Sequence, residues 1–201
     1  MRGTGTLIPP DSPGKFAFVV FGDNRPAKGD PQPETIKEIF IEIKELHPAF
    51  AMSLGDVIEG KPKQIAQLRA DLEANRDKAH IFITMHYPIH AKDQGPPDST
   101  WDDRLYPESR KALIEMFKDY DNIAYVLAAH EHLYYNPQSP EDVANVPGWK
   151  TGNPIVYLVS GGAGAPLNDG KWGFHNYLVF TVDGANVSAK LVKLESTGSS
   201  S

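Results

Sequence analysis

Apolar runs recur along this chain, and four of them stop at residues whose side chains bind metals. Residues 16–21 lead into Gly22-Asp23-Asn24-Arg25, 49–54 into Gly55-Asp56, 80–85 into His86, and 123–128 into Ala129-His130-Glu131-His132. Short apolar runs bounded by turn residues predict buried strands. After the first of them, Pro33-Glu34-Thr35 opens a segment in which Ile36, Ile39, Phe40, Ile43 and Leu46 fall at helical spacing, ended by His47-Pro48. Residues 64–75 set Ile65, Leu68 and Leu72 on one helical face and run into the strand at 81–84, so a second strand, helix, strand unit is expected. A helix bounded by two strands makes a complete right-handed crossover.

Residues 91–107 are rich in Asp, Pro and Gly and have no period. They predict a surface loop near the strand ends, where loops shape substrate pockets. A helix over 108–120 follows, with Leu113, Met116 and Phe117 inward. Beyond a loop at 136–153, strands are expected at 155–160, 177–182 and 187–194, the last two joined by a hairpin at Asp183-Gly184. The order predicts an α/β sandwich with an antiparallel C-terminal portion.

With 201 residues the chain fits one domain with a full core: an N-terminal extension at 1–14, a single domain at 15–195 and a flexible tail at 196–201. A formal charge of −6 argues against a nucleic-acid surface, since neutralising phosphates needs clustered Lys and Arg. A small anionic substrate would then be held locally, by metals. Cysteine is absent, so disulfides and thiolate ligands are excluded and ligation by carboxylate and imidazole remains. No apolar stretch has the length to cross a bilayer, and residues 1–14 lack a signal-peptide core, so the chain is expected to be soluble, with its compartment open.

Residues at the carboxyl ends of strands can converge from distant parts of a sequence, because that is where the ligand crevice of an α/β sheet lies. Asp56 is the candidate bridge, since a carboxylate can hold two cations with its two oxygens while imidazoles complete each sphere. Two divalent ions about 3.5–4 Å apart clamp the attacking and departing oxygens of an in-line displacement at phosphorus and make hydroxide from a shared water near neutral pH. Phosphate ester hydrolysis is the natural reaction for such a site. His130-x-His132 is the most specific local signal, although a pair of histidines in a polar loop has the same pattern. Gly-Asp alone is also ordinary turn chemistry.

These motifs resemble the calcineurin-like metallophosphoesterases, most closely their purple acid phosphatase-like branch, over residues 16–194. Asp23, Gly55-Asp56, His86 within Met85-His86-Tyr87-Pro88, and Ala129-His130-Glu131-His132 match four of the family's five blocks. Residues 159–166 and 174–179 also resemble the end of such proteins. The resemblance implies a metallophosphatase-like α/β sandwich, with mixed sheets flanked by helices. It implies that Asp23, Asp56 and His132 hold one divalent metal and Asp56, His86 and His130 the other, the ions being Mn, Fe or Zn.

Two departures matter. Arg25 stands where the family often has a His ligand; a guanidinium there could hold a phosphate oxygen, or form a surface ion pair. The Asn-His block is missing, because the short interval between Asp56 and His86 contains no Asn-His pair and Asn75-Arg76-Asp77 does not substitute. The chain thus resembles a family member shortened between the second and third motif strands. A weaker or empty second metal site and reduced turnover are expected, and an exposed sheet edge becomes a candidate for pairing with a second copy.

His90 is a candidate replacement acid, with an exposed loop histidine as the plainer reading. Tyr87 and His175 are candidates for contact with a small phosphorylated substrate; Tyr134 and Tyr135 flank the ligands as well. His47 is expected to end a helix, and His80 to be structural. The Gly161–Gly164 run offers either an anion nest or a close-packed turn. The sequence therefore predicts a metal-dependent phosphoesterase acting through a metal-bridging hydroxide. The alternatives are a catalytically silent or minimised scaffold with partial metal binding, and a protein that binds a divalent ion for stability alone.

Overall fold

The β-branched and aromatic run Lys15–Phe21 forms β1, and the amphipathic Glu34–Leu46 forms α1. Then come β2 (Phe50–Ser53), α2 (Pro62–Ala74), β3 (Ile81–Thr84), α3 (Pro107–Phe117), β4 (Ile123–Ala128), β5 (Tyr134–Tyr135), β6 (Trp149–Lys150), β7 (Val156–Ser160), β8 (Asn176–Asp183) and β9 (Asn186–Lys193). A computed structural model describes residues 14–23, 34–55, 62–92 and 105–194. The expected N-terminal extension before Gly14, the C-terminal tail, Arg25, Asp56 and most of the 91–107 loop lie outside the described residues.

The nine strands among the described residues form two mixed sheets, one ordered β2-β1-β8-β9-β6 and the other β3-β4-β7-β5. Their facing sides enclose the largest core cluster, which includes Phe18, Val20, Tyr125, Leu127, Leu158, Leu178 and Phe180. Phe18 is its centre, stacked between Phe50 at 4.9 Å and Phe180 at 5.0 Å, with the edge of Phe82 at 4.9 Å. The buried stripe of α1 (Ile36, Ile39, Ile43) covers the outer face of the first sheet, against Val19, Phe21 and Tyr177. Leu72 of α2 and Leu113, Met116 and Phe117 of α3 cover the second sheet, against Ile83, Ile123 and Val126. The architecture is an α/β sandwich of two mixed sheets flanked by helices, as the sequence predicts.

Local chemistry sets the element ends. At α1 the chain turns left-handed at His47 (φ 47°), whose N–H reaches the Lys44 carbonyl, and Pro48 blocks continuation. Phe40 and Leu46 flank the buried stripe and are about half exposed. Buried Asn122 donates to the carbonyls of Asn75 and Lys78, closing the end of α2. The β8–β9 hairpin turns on Gly184 at φ 58°, the first of two central residues, where a primed turn needs positive φ.

One connection differs from expectation. β1 and β2 are parallel neighbours around α1, but β2 ends the first sheet while β3 begins the second. The apolar stripe of α2 packs with α3 on the second sheet, so the chain changes sheet before the helix and α2 links two sheets. Within the expected 136–153 loop, β6 pairs with β9 and buries Trp149, a strand too short to leave a period.

His80 contacts the rings of Phe82 and Trp149 edge on, and its Nδ1 is buried without a hydrogen-bond partner. Burial lowers its pKa, so folding favours the neutral ring. Stability from this site is complete above the unfolded value of about 6.5 and is lost as pH falls through the lower folded value. The expected outcome is a melting temperature that drops between pH 8 and pH 5, with a shallower drop for His80→Phe. Phe18→Ala should cost about 3–5 kcal/mol by urea denaturation, the range for emptying an aromatic core site.

Candidate functional site

Two glycines let the strand ends meet. A Cβ on Gly22, just after β1, would lie 2.5 Å from the Cβ of Ala129 and 2.7 Å from the carbonyl oxygen of Ser160, with Leu54 at 3.2 Å. A Cβ on Gly161, just after β7, would lie 2.1 Å from the Glu131 carbonyl oxygen and 2.6 Å from Asp23 Oδ2. Neither position has room for a side chain. The ends of β1 and β2 in one sheet thus press against those of β4 and β7 in the other, and the crevice lies on the rim between two sheets.

Asp23 is buried and adopts φ 55°, a left-handed conformation that is uncommon outside glycine. The segment after Gly161 brackets it: Gly161 N–H donates to Leu133, Ala163 N–H to Gly22 and Ala165 N–H to Asp23 carbonyls. Those three amides are spent on backbone partners, and Cβ positions at Gly161 and Gly162 are filled by neighbours, so this part of the glycine run packs closely.

The His130-Glu131-His132 segment makes two consecutive three-residue turns. Glu131 N–H donates to the Ala129 carbonyl at 2.8 Å and Leu133 N–H to the Glu131 carbonyl at 2.7 Å. His130, at φ 70°, centres the first, the rare strained form of the γ-turn; His132 centres the second. The strand alternation is broken, and the two rings part company.

His132 faces Asp23, with Nε2 3.7 Å from Oδ1. Its Nδ1 donates to the Pro166 carbonyl at 2.6 Å, leaving Nε2 on the Asp23 side. His86, also buried, follows the same rule: Nδ1 donates to the Leu54 carbonyl at 3.2 Å, and Nε2 lies 3.3 Å from Nδ1 of His130. Tyr87 rests on the His130 ring at 4.5 Å.

Imidazoles that hold a metal through one nitrogen typically donate the other N–H to a carbonyl or carboxylate, which fixes tautomer and ring direction. His86 and His132 have that arrangement. The donor set suits a divalent cation that accepts nitrogen and oxygen. Among the described residues, no group of three His, Asp or Glu side chains is placed to hold a metal ion; there are two pairs, Asp23 with His132 and His86 with His130.

The remaining candidates occupy different places. Asp56 and Arg25 lie outside the described residues. His90 sits edge on to Tyr157 at 4.6 Å, and burial, then Arg110, lowers its pKa; it is half-buried, where an exposed loop residue was the plainer expectation. His175 bonds through Nδ1 to the Gly162 carbonyl at 3.0 Å, one residue from Gly161. Tyr134 is wholly buried in the core, and Tyr135 packs on Trp172. Asn75 and Arg76 are tied to Asn122 and Asp119, before the start of β4, at the end of the sheet away from His130.

Sequence reasoning passed over two contributors to this arrangement, the carbonyls of Leu54 and Pro166, which leave no trace in residue type.

No protein-family model matches the chain, and no curated protein matches it. Among solved structures it is similar to a crystal structure of a dimetal phosphatase from Danio rerio, at 14% identity and a TM-score of 0.35. That similarity covers 67% of this chain and 38% of the other, so the chain spans well under half of that protein's length.

Gly161→Ala tests the close approach directly. The added methyl must displace the Glu131 carbonyl or the Asp23 carboxylate, so a loss of about 1–3 kcal/mol is expected in chemical denaturation. Gly152→Ala is the contrast: unlike Gly161 it has positive φ, and nothing lies within contact of an added methyl, so its cost is strain alone.

Proposed function

We propose that this protein is a metal-dependent phosphoesterase acting on a small phosphomonoester or phosphodiester. The observation that carries the reading is the meeting of Asp23 with His132 and of His86 with His130 at one rim, with a backbone carbonyl behind His86 and His132. In this reading Asp23 and His132 would hold one divalent ion and His86 and His130 a second, with Asp56 the proposed shared ligand. When bound, such ions would supply Lewis-acid clamping of the phosphate and a lowered pKa for a water they share.

The chain's own part is orientation. The Leu54 and Pro166 carbonyls accept from Nδ1 of His86 and His132, which fixes the ring direction and turns Nε2 toward the proposed metal positions. Arg25 is proposed to hold a phosphate oxygen, and Tyr87 and His175 to border the substrate. His90 is the proposed acid, and its packing against Tyr157 supports only a weak role. Without the Asn-His block, each metal keeps three protein ligands, enough for zinc and thin for octahedral iron or manganese. Loss of a positioned acid alone costs about 10²–10⁴-fold in rate, so turnover should be slow.

A second reading, a catalytically silent scaffold that binds metal, is favoured by the missing block in the sequence. The two are separated by metal analysis of the purified protein with Zn²⁺ or Mn²⁺, together with hydrolysis of an aryl phosphate. The enzyme reading expects metal uptake, metal-stimulated hydrolysis, and a His130→Ala variant with at least tenfold weaker binding and no hydrolysis above background. Uptake with no turnover supports the scaffold; no uptake at all sinks both.

A further inference from the structure

Between the two candidate histidines stands Glu131, and its N–H, its carbonyl and one carboxylate oxygen are all in use. Its N–H closes the turn around His130, its carbonyl closes the turn around His132, and its carboxylate Oε2 accepts the backbone N–H of Lys92 at 2.8 Å. Lys92 belongs to the loop that follows β3 and carries His86. The loop is pinned to the end of β4 at its other end too, where Ala129 N–H donates to the His86 carbonyl at 3.0 Å. Ile89, between the pins, is buried in the helix-side core.

We infer that Glu131 is a positioning residue, a carboxylate clasp that sets how closely the His86 loop approaches the His130 turn and so fixes the 3.3 Å facing of the two imidazoles. An N–H donating to an ionised carboxylate is about twice as strong as a neutral bond. Here it ties the two loops again beyond the Ala129–His86 hydrogen bond, where the parallel pairing of β3 with β4 ends. The strained φ of His130 needs such outside support. This inference rests on the reading of His86 and His130 as a metal pair.

The test uses Co²⁺, whose visible absorption reports ligand geometry independently of turnover. In Glu131→Ala the clasp is lost, and Co²⁺ affinity should fall about 10–100-fold, the usual effect of removing support behind a ligand, with a changed spectrum. Glu131→Gln keeps an oxygen for the Lys92 N–H and should recover affinity and spectrum to near wild type. Melting of the metal-free variants checks that each is folded. If Glu131→Gln binds as poorly as Glu131→Ala, or Glu131→Ala binds like wild type, the clasp is wrong although the metal reading survives. If the wild-type protein takes up no Co²⁺, the functional reading fails first and takes the inference with it.

Discussion

Close backbone approach at the rim is the constraint on which the rest depends. Two sheets packed face to face are held apart by the side chains between them, about 10 Å in a typical sandwich. The core of Phe18, Tyr125, Leu127 and Phe180 does that here. At the carboxyl ends of β1, β4 and β7 the separation closes, because Gly22 and Gly161 present no side chain. There, among the described residues, a carboxylate that follows a strand of one sheet comes near an imidazole that follows a strand of the other.

Closing the rim has a conformational cost, and its location is informative. Among the described residues three non-glycine positions have positive φ: His47 at a helix end, and Asp23 and His130 at the rim. Such conformations cost about 1–3 kcal/mol each and persist where the surroundings over-determine them. Asp23 is braced by amides from the Gly161 segment, and His130 by the hydrogen bond across its turn. The rigid ladders on either side supply the reserve, with β1 paired along its length to β8 and β4 held between β3 and β7.

Much of this was legible in the residues. The strands of the core and the inward faces of α1, α2 and α3 follow from apolar runs and helical spacing, since burial writes itself into residue type. The choice of a sandwich followed from the order of elements. Periodicity specifies which face is buried and says nothing of which sheet a strand joins, so the step from β2 to β3 across the sandwich was not legible. The paired turns at His130 and His132 were hidden for another reason: residue type there fits a strand and a tight turn equally well, and the chain abandons strand alternation one residue past β4. Glu131 looked like a spacer because its partner is a backbone amide far along the chain, and amides are the same at every residue.

The two strands on either side of α2 are the outermost of their sheets: β2 borders the first and β3 the second. No ladder among the described residues would be cut by lengthening the chain between them. New strands could dock outward on either border while the rim kept its shape. The molecule has, in effect, a growth point beside the rim, where either sheet could be extended without refolding the rest.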